Sequence, residues 1–213
     1  MTHRPAVWMR AAGAAALLVG APELARADEV GIVLEAGYAD LTNASRSAEA
    51  VFDGSSGGFT GGAQVRFSLG RRFFAAGGAR YFSRTGERVF VADEDAPVFP
   101  LGHPLEVRLL PVFGLLGYRF SEGKLAPYAS LGAGAAWYRE ESTVGGITTS
   151  ESRTKFTAMA MLGAEYGQGT IRFGAELGYS LIPNAVGLGG VSAVYGEDDL
   201  GGLSIVGRVV IVP

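Results

Sequence analysis

The segment Tyr128-Ala-Ser-Leu-Gly-Ala-Gly-Ala-Ala-Trp-Tyr138 (YASLGAGAAWY) contains no charged side chain, yet it is too short to cross a membrane as a helix. Its residues separate into two sets when every second position is taken. The first set is apolar and ends on a tryptophan: Ala129, Leu131, Ala133, Ala135 and Trp137. The second set is small or carries a hydroxyl: Tyr128, Ser130, Gly132, Gly134, Ala136 and Tyr138. A period of two predicts a β-strand whose two faces meet different surroundings.

The start of the chain has the pattern of an export signal. Two arginines precede an apolar run over residues 11–21, and the small-x-small sequence Ala25-Arg-Ala27 follows it. This order predicts a secretory signal peptide over residues 1–27. An N-terminal membrane anchor is the alternative, but the run is shorter than the roughly 20 residues of a spanning helix. We therefore expect one mature domain, residues 28–213.

Composition excludes several classes of function. Three of the 18 basic and one of the 21 acidic residues precede residue 28, which leaves 15 basic and 20 acidic residues and a net charge of −5. A mildly acidic chain without a basic stripe argues against a nucleic-acid partner. The absence of cysteine excludes disulfides, a thiolate nucleophile and a thiolate metal site. We expect no cofactor and no metal.

The two-residue period recurs along the chain and predicts eight strands. They lie near residues 29–38, 59–69, 72–82, 105–120, 125–139, 154–166, 170–181 and 200–212. Three connections are tight and contain glycine: residues 69–72, 121–124 and 167–169. The other four are long: about residues 39–58, 83–104, 140–153 and 182–199. Short turns at one end and long loops at the other are typical of bacterial outer-membrane barrels with an even number of antiparallel strands.

The apolar face of these strands is predicted to face lipid. It holds no charge, as hydrocarbon requires, and its aromatic residues lie at the two ends of the strands. At the long-loop end these are Tyr38, Phe59, Tyr81, Trp137, Phe156 and Tyr179, and at the short-turn end Phe67, Phe73 and Tyr166. A secreted lipocalin-like barrel would have the opposite order, with apolar residues inside.

The other face carries charge and glycine, and we expect it to fill the interior. Eight strands enclose a space just wide enough for side chains, so long charged groups need small residues on the opposite wall. Buried charges must also pair. We expect Glu35, Glu165 and Glu176 to be bridged by arginines: Arg66, Arg80, Arg172 and Arg208.

The fourth strand does not follow this scheme. It is apolar on both faces around Pro111, which lacks the donor that a strand ladder needs. We expect a bulge near Pro111 that switches the faces, and the pattern leaves those faces unassigned.

With these features, and with the run LEVRLLPVFGLLGYRF…LAPYASLGAGAAWY (residues 105–138), the chain resembles the small outer-membrane β-barrel family of the OmpX, OmpA-transmembrane-domain and OmpW type. The resemblance covers residues 28–213. It implies an all-β fold, an eight-stranded antiparallel up-and-down transmembrane barrel, as a monomer in the cell outer membrane. The implied partners are outer-membrane lipid, lipopolysaccharide and the outer-membrane assembly machinery during biogenesis.

Catalysis has weak support in the sequence. His103 is the only histidine after residue 27 and has no serine two residues away, so we expect a solvated loop residue and no catalytic site. The acidic runs at 93–95 and 197–199 favour solvated charge over divalent-cation binding. The leading hypothesis is a non-enzymatic barrel with a filled lumen, whose long loops act in surface interaction or envelope integrity. The alternatives are a narrow conduit for small hydrophobic compounds and a lipid A-modifying enzyme.

Overall fold

The computed structural model describes residues 29–187 and 189–213, and within them the chain forms one closed ring of eight antiparallel strands in sequence order. The strands are β1 Glu29–Asp40, β2 Gly57–Leu69, β3 Phe73–Phe90, β4 Phe99–Arg119, β5 Leu125–Val144, β6 Ile147–Tyr166, β7 Ile171–Leu181 and β8 Gly202–Ile211. β1 pairs with both β2 and β8, so the sheet closes on itself and β1 has a hydrogen-bonded neighbour on each side. The predicted fold class is confirmed, and the predicted signal peptide lies outside the described residues.

The pairing of neighbouring strands shows how strongly they are staggered. A path of paired residues followed once round the ring from Val30 returns to β1 ten residues further along, at Asp40. The residues on this path are Phe67, Ala75, Leu116, Leu131, Ala160, Tyr179 and Leu203. Such a stagger tilts the strands and leaves an interior that side chains can fill.

The two predicted faces are confirmed. Large apolar residues of the predicted lipid face are exposed, for example Phe59 at 70% and Leu131 at 69%, whereas Gln64 of the other face is 2% exposed. All nine aromatic residues assigned to the two rims are exposed. Apolar side chains that cover the outside of a closed ring, between two aromatic rims, match a bilayer and its two interfaces.

β4 keeps one pair of faces throughout, so the predicted bulge at Pro111 is wrong. Its register with β5 runs without interruption from Leu105 to Arg119. The missing donor of Pro111 is accommodated on the other side, where the pairing with β3 skips from Ala79 to Phe82 and resumes in the same register. The buried side chains of β4 from Leu105 to Leu115 are apolar: Leu105, Val107, Leu109, Phe113 and Leu115. The register shift of this strand pair lies further along, between Glu87 and Val89.

Two of the four predicted long connections are largely strand. β3 and β4 continue to Phe90 and Phe99, and β5 and β6 continue to a turn made by Gly145 and Gly146 alone. Both glycines have positive φ, 58° and 80°, the conformation that joins strands in a tight hairpin with the natural twist. The prediction of a loop at 140–153 is therefore wrong, because this glycine pair closes a hairpin.

These long hairpins rise beyond the ring. Pairing of β2 with β3 ends at Phe82, and pairing of β6 with β7 ends at Ala158. Past these points β3, β4, β5 and β6 form a four-stranded sheet without further neighbours, over residues 83–90, 99–108, 139–144 and 147–157. We call this part of the molecule the extended sheet.

The other two connections fold over the same end of the ring. Residues 41–56 contain a 3₁₀ helix, Thr42–Ala44, and the helix α1, Ser45–Val51, while α2, Gly190–Val194, lies between β7 and β8. Phe52 and Ala48 bury their side chains against inward residues of the strands. None of the helices in the described ranges is long and apolar enough to span a bilayer.

Candidate functional site

An ion network crosses the lumen, with Arg80 of β3 at its centre. Arg80 Nε donates to Glu35 Oε1 at 2.5 Å, and its Nη2 donates to Glu35 Oε2 at 3.1 Å and to Glu176 Oε1 at 2.5 Å. The two carboxylates are at most 1% exposed and Arg80 is 11% exposed. One arginine therefore links β1 to β7 across the inside of the ring.

Arg208 of β8 completes this network. Its Nη1 donates to Glu176 Oε2 at 2.6 Å and its Nη2 to Gln64 Oε1 at 3.1 Å. Gln64 in turn donates to Glu35 Oε2 at 2.9 Å, and the Tyr128 hydroxyl donates to Glu176 Oε2 at 2.7 Å. The sequence did not predict that Tyr128 hydrogen-bonds to Glu176. The signal that could have indicated it is the position of Tyr128 in the inward-facing set of β5.

A second ion pair lies apart from this network. Arg66 of β2 holds both oxygens of Glu165 of β6, with the longer contact at 3.2 Å, and both side chains are almost fully buried. The guanidinium carbons of Arg66 and of the buried Arg119 lie 5.5 and 5.6 Å from the centroid of the Phe74 ring. Cation–π contact of this kind is attractive in a desolvated site.

The predicted pairing is thus correct for three arginines and wrong for Arg172. Arg172 donates to Glu29 at 3.1 Å instead, at the short-turn end of the ring. Arg172 is the second residue of β7 and Glu29 is the first residue of β1, so both lie at the short-turn end of the ring. The Arg172 side chain therefore pairs with the Glu29 carboxylate there and not with the glutamates in the middle of the lumen.

Glycines provide the space for the polar side chains, as predicted, both from neighbouring strands and from the opposite wall. Gly62 lies directly beside both Glu35 and Arg80 in the register, and a methyl group on it would stand 3.0 Å from each side chain. Gly163 lies between Tyr128 and Glu176 in the same way, and a methyl group there would collide with the tyrosine hydroxyl. Small residues also lie on the opposite wall, as predicted, since a methyl group on Gly178 of β7 would stand 3.5 Å from Arg80 Nη1.

A cavity of about 390 Å³ opens at the long-loop end of the ring. Apolar side chains form part of its walls: Leu41, Ala44, Ala48, Val51, Phe52, Leu105, Val107, Val186 and Leu200. Four charged residues line it as well: Arg88, Glu140, Glu151 and Arg153. A smaller void of about 60 Å³ lies below it and is lined by Arg80. The mouth of the ring is therefore a pocket with both polar and apolar walls, above the ion network.

The acidic run at 197–199 is structural rather than simply solvated. Glu197 accepts backbone N–H groups of α1, from Arg46 at 3.0 Å and Ser47 at 2.9 Å. Asp199 accepts the backbone N–H groups of Ile182 at 2.9 Å and Gly201 at 2.6 Å. The two carboxylates therefore hold the connection between β7 and β8 against α1 and against the ends of those two strands.

His103 and the other acidic run lie in the upper part of the molecule. The prediction of a solvated loop residue is wrong for His103, which is half-buried on β4 because that strand already begins at Phe99. The acidic run at 93–95 lies at the tip between β3 and β4. Across the part of the chain that the structure describes, no group of three or more His, Asp and Glu side chains is placed to hold a metal ion.

The chain matches the family model described as the outer membrane protein beta-barrel domain over residues 11–187. No curated protein matches its sequence. Among solved structures, Neisserial surface protein A is 15% identical, with 85% of this chain and 94% of that chain covered and a TM-score of 0.51. This likeness concerns the fold.

Two further solved structures are similar to this chain, with TM-scores below 0.5. Ail of Yersinia pestis, in complex with the heparin analogue sucrose octasulfate, is 14% identical over 85% of this chain and 95% of its own, with a TM-score of 0.47. The N-terminal β-barrel domain of Pseudomonas aeruginosa OprF is 12% identical over 87% and 98%, with a TM-score of 0.46.

Proposed function

This chain belongs to the family of outer membrane protein beta-barrel domains, and we propose that it is a non-enzymatic barrel of the outer membrane that acts in surface interaction through its extended sheet. The observation that carries the proposal is the length of β3 to β6 beyond the aromatic rim. In barrels of this membrane the short turns are periplasmic and the long connections extracellular. The extended sheet is then the part that faces the outside of the cell.

The reach of the extended sheet supports a role away from the membrane. Phe90 is nine residues beyond the rim residue Tyr81, which at about 3.3 Å per residue is roughly 30 Å along the strand. The tips of the two hairpins carry exposed apolar side chains: Phe90, Val98, Phe99, Leu101, Val144 and Ile147. Exposed apolar groups gathered outside the bilayer mark interaction surfaces.

The lumen supports a closed barrel over a conduit. Arg80, Glu35, Glu176 and Arg208 span it with contacts of 2.5–3.6 Å, and these charges leave little cross-section for a solute. The second candidate is a conduit for small hydrophobic compounds. Its support is the part of the mouth cavity that apolar side chains line, among them Phe52 and Leu105. The conduit needs a path past the ion network, whereas the surface role does not.

The proposal is tested by removing the apolar tips while keeping the strands. The variant Phe90→Ser/Phe99→Ser/Ile147→Ser is compared with a control of exposed polar residues on the β5–β6 hairpin, Thr148→Ala/Thr149→Ala. We expect both to insert, as judged by different gel migration with and without boiling, and only the first to lose adhesion of cells to surfaces or other cells.

Adhesion that is unchanged in the apolar-tip variant would refute the surface role. Planar-bilayer recordings address the second candidate, for which a large, steady conductance is the positive result. We expect none. Lipid A compared by mass spectrometry with and without the gene, and with His103→Ala, tests for an enzyme, and we expect the same acyl pattern in all three.

A further inference from the structure

The outward face of the extended sheet carries two rows of polar residues, one behind the other. Cross-strand pairing places Ser83 opposite Arg108, Arg108 opposite Arg139, and Arg139 opposite Ser152. We call these four residues the arginine row. Two residues further out, pairing in the same strands forms the glutamate row: Thr85, Glu106, Glu141 and Ser150.

The arginine row begins where the apolar belt ends. Leu110 and Trp137 pair directly with each other at the aromatic rim, and Arg108 and Arg139 follow two residues later on the same outward face. Two residues of strand correspond to about 7 Å. The row therefore lies just past the hydrocarbon, at the depth of the lipid headgroups.

Two arginines in direct cross-strand contact repel each other unless an anion lies nearby. The glutamate row supplies part of this balance. Arg108 donates to both oxygens of Glu106 at 2.7 Å, and Arg139 donates through Nη2 to Glu141 at 2.6 Å. These pairs hold the guanidinium groups against the sheet.

Donors remain free on both arginines. Within the described residues, Nη1 of Arg108 and both Nε and Nη1 of Arg139 donate to no protein group, and the two side chains are 39% and 50% exposed. The exposed hydroxyl of Ser152 lies next to them. Guanidinium groups with free, preoriented N–H donors are suited to phosphate oxygens.

We infer that the arginine row binds a phosphate group of lipopolysaccharide in the outer leaflet. Arg108 and Arg139 hold the phosphate, Ser152 adds a hydroxyl donor at one side, and the glutamate row positions the two arginines. The inference rests on the proposed function only in placing the extended sheet outside the cell. It would anchor the base of this sheet in the headgroup layer and hold its tips away from the membrane.

The test uses the folded full-length barrel in mixed micelles, titrated with fluorescent bisphosphorylated lipid A or with dephosphorylated lipid A. We expect Arg108→Ala/Arg139→Ala to weaken binding of the phosphorylated lipid at least tenfold and to leave binding of the dephosphorylated lipid unchanged. The matched control is Arg71→Ala/Arg72→Ala, which removes the same charge at the periplasmic turn and should change binding less than twofold. Boiling-dependent migration verifies folding, and Arg139→Ala alone is a milder second variant.

Equal binding of phosphorylated lipid A by the wild type and the Arg108/Arg139 variant would overturn the inference. So would an equal loss in the Arg71/Arg72 control, which would indicate general charge attraction. Displacement of the lipid by millimolar inorganic phosphate would point to a free-anion site, and equally tight binding of phosphatidylglycerol to an ordinary phospholipid site; either result rejects the lipopolysaccharide assignment. The tip variants leave this row intact, so failure of the surface role and failure of this inference are distinguishable.

Discussion

Arg80 in the lumen and Arg108 on the outer face contact glutamates in similar geometry, but their surroundings differ. Each guanidinium lies within 4 Å of two carboxylates, with closest contacts of 2.5 and 2.7 Å. Arg80 is 11% exposed among fully buried partners, while Arg108 is 39% exposed at the edge of the membrane. A buried charge that loses its partner stays desolvated, whereas an exposed one is screened by water and salt. Burial, more than contact distance, decides what such a pair contributes.

The largest effect is expected from breaking the buried network. Glu176→Leu removes the acceptor shared by Arg80, Arg208 and Tyr128 and leaves a net positive charge in the lumen. We expect a loss of about 3–5 kcal/mol in the free energy of unfolding, measured by urea titration in micelles. The double variant Glu176→Leu/Arg208→Met restores the charge balance and should recover part of this loss. No recovery would mean that shape rather than charge is critical at this position.

A smaller effect is expected from placing a charge on the lipid face. Ala133 faces outward in the middle of β5, so Ala133→Arg should destabilise the inserted barrel by about 2–4 kcal/mol. Thr154 pairs with the rim residue Trp137, and Thr154→Arg should cost about 0–1 kcal/mol because the interface tolerates charge. Folding yield into vesicles measures both. Equal yields would contradict the depth assigned to the aromatic rim.

The smallest effect on stability is expected at Glu106, the partner of the exposed Arg108 on the outer face. Hydrogen bonds from the Arg108 guanidinium lower the pKa of the Glu106 carboxyl below its ordinary value, near 4.5. A carboxyl whose pKa falls on folding adds stability above the ordinary pKa and loses it as the pH drops through the lowered folded value. Carboxyl NMR titration of Arg108→Gln should show the pKa of Glu106 returning toward its ordinary value. Stability at neutral pH should stay close to that of the wild type, and an unchanged Glu106 pKa would contradict the assigned cause.

Much of the fold follows from local properties of the chain. Alternation along β5 predicted that Ala133 faces outward and Tyr128 inward, because successive side chains of a strand point to opposite faces. The tight turns at Gly70 and Gly169 were also predicted from a local property, because glycine adopts positive φ without steric cost. Both glycines have positive φ in the structure. The Gly145–Gly146 turn carries the same signal, but polar residues around it concealed the hairpin.

The candidate sites depended on contacts that a linear pattern does not contain. That Arg66 meets Glu165, or that Arg172 turns to Glu29, follows from the stagger of the closed ring. The arginine row likewise exists only because the register aligns Arg108 with Arg139.

For this protein, the sequence by itself determined the compartment expected of the barrel, the number of its strands and which face of most strands meets lipid. These depend on side-chain periodicity and turn chemistry, which act over a few residues. Only the tertiary structure decided which charges pair in the lumen, how far β3 to β6 extend, and which polar residues gather at the membrane edge. Those features depend on ring closure, because a shift of two residues in one strand pair keeps every face but changes every partner across the barrel.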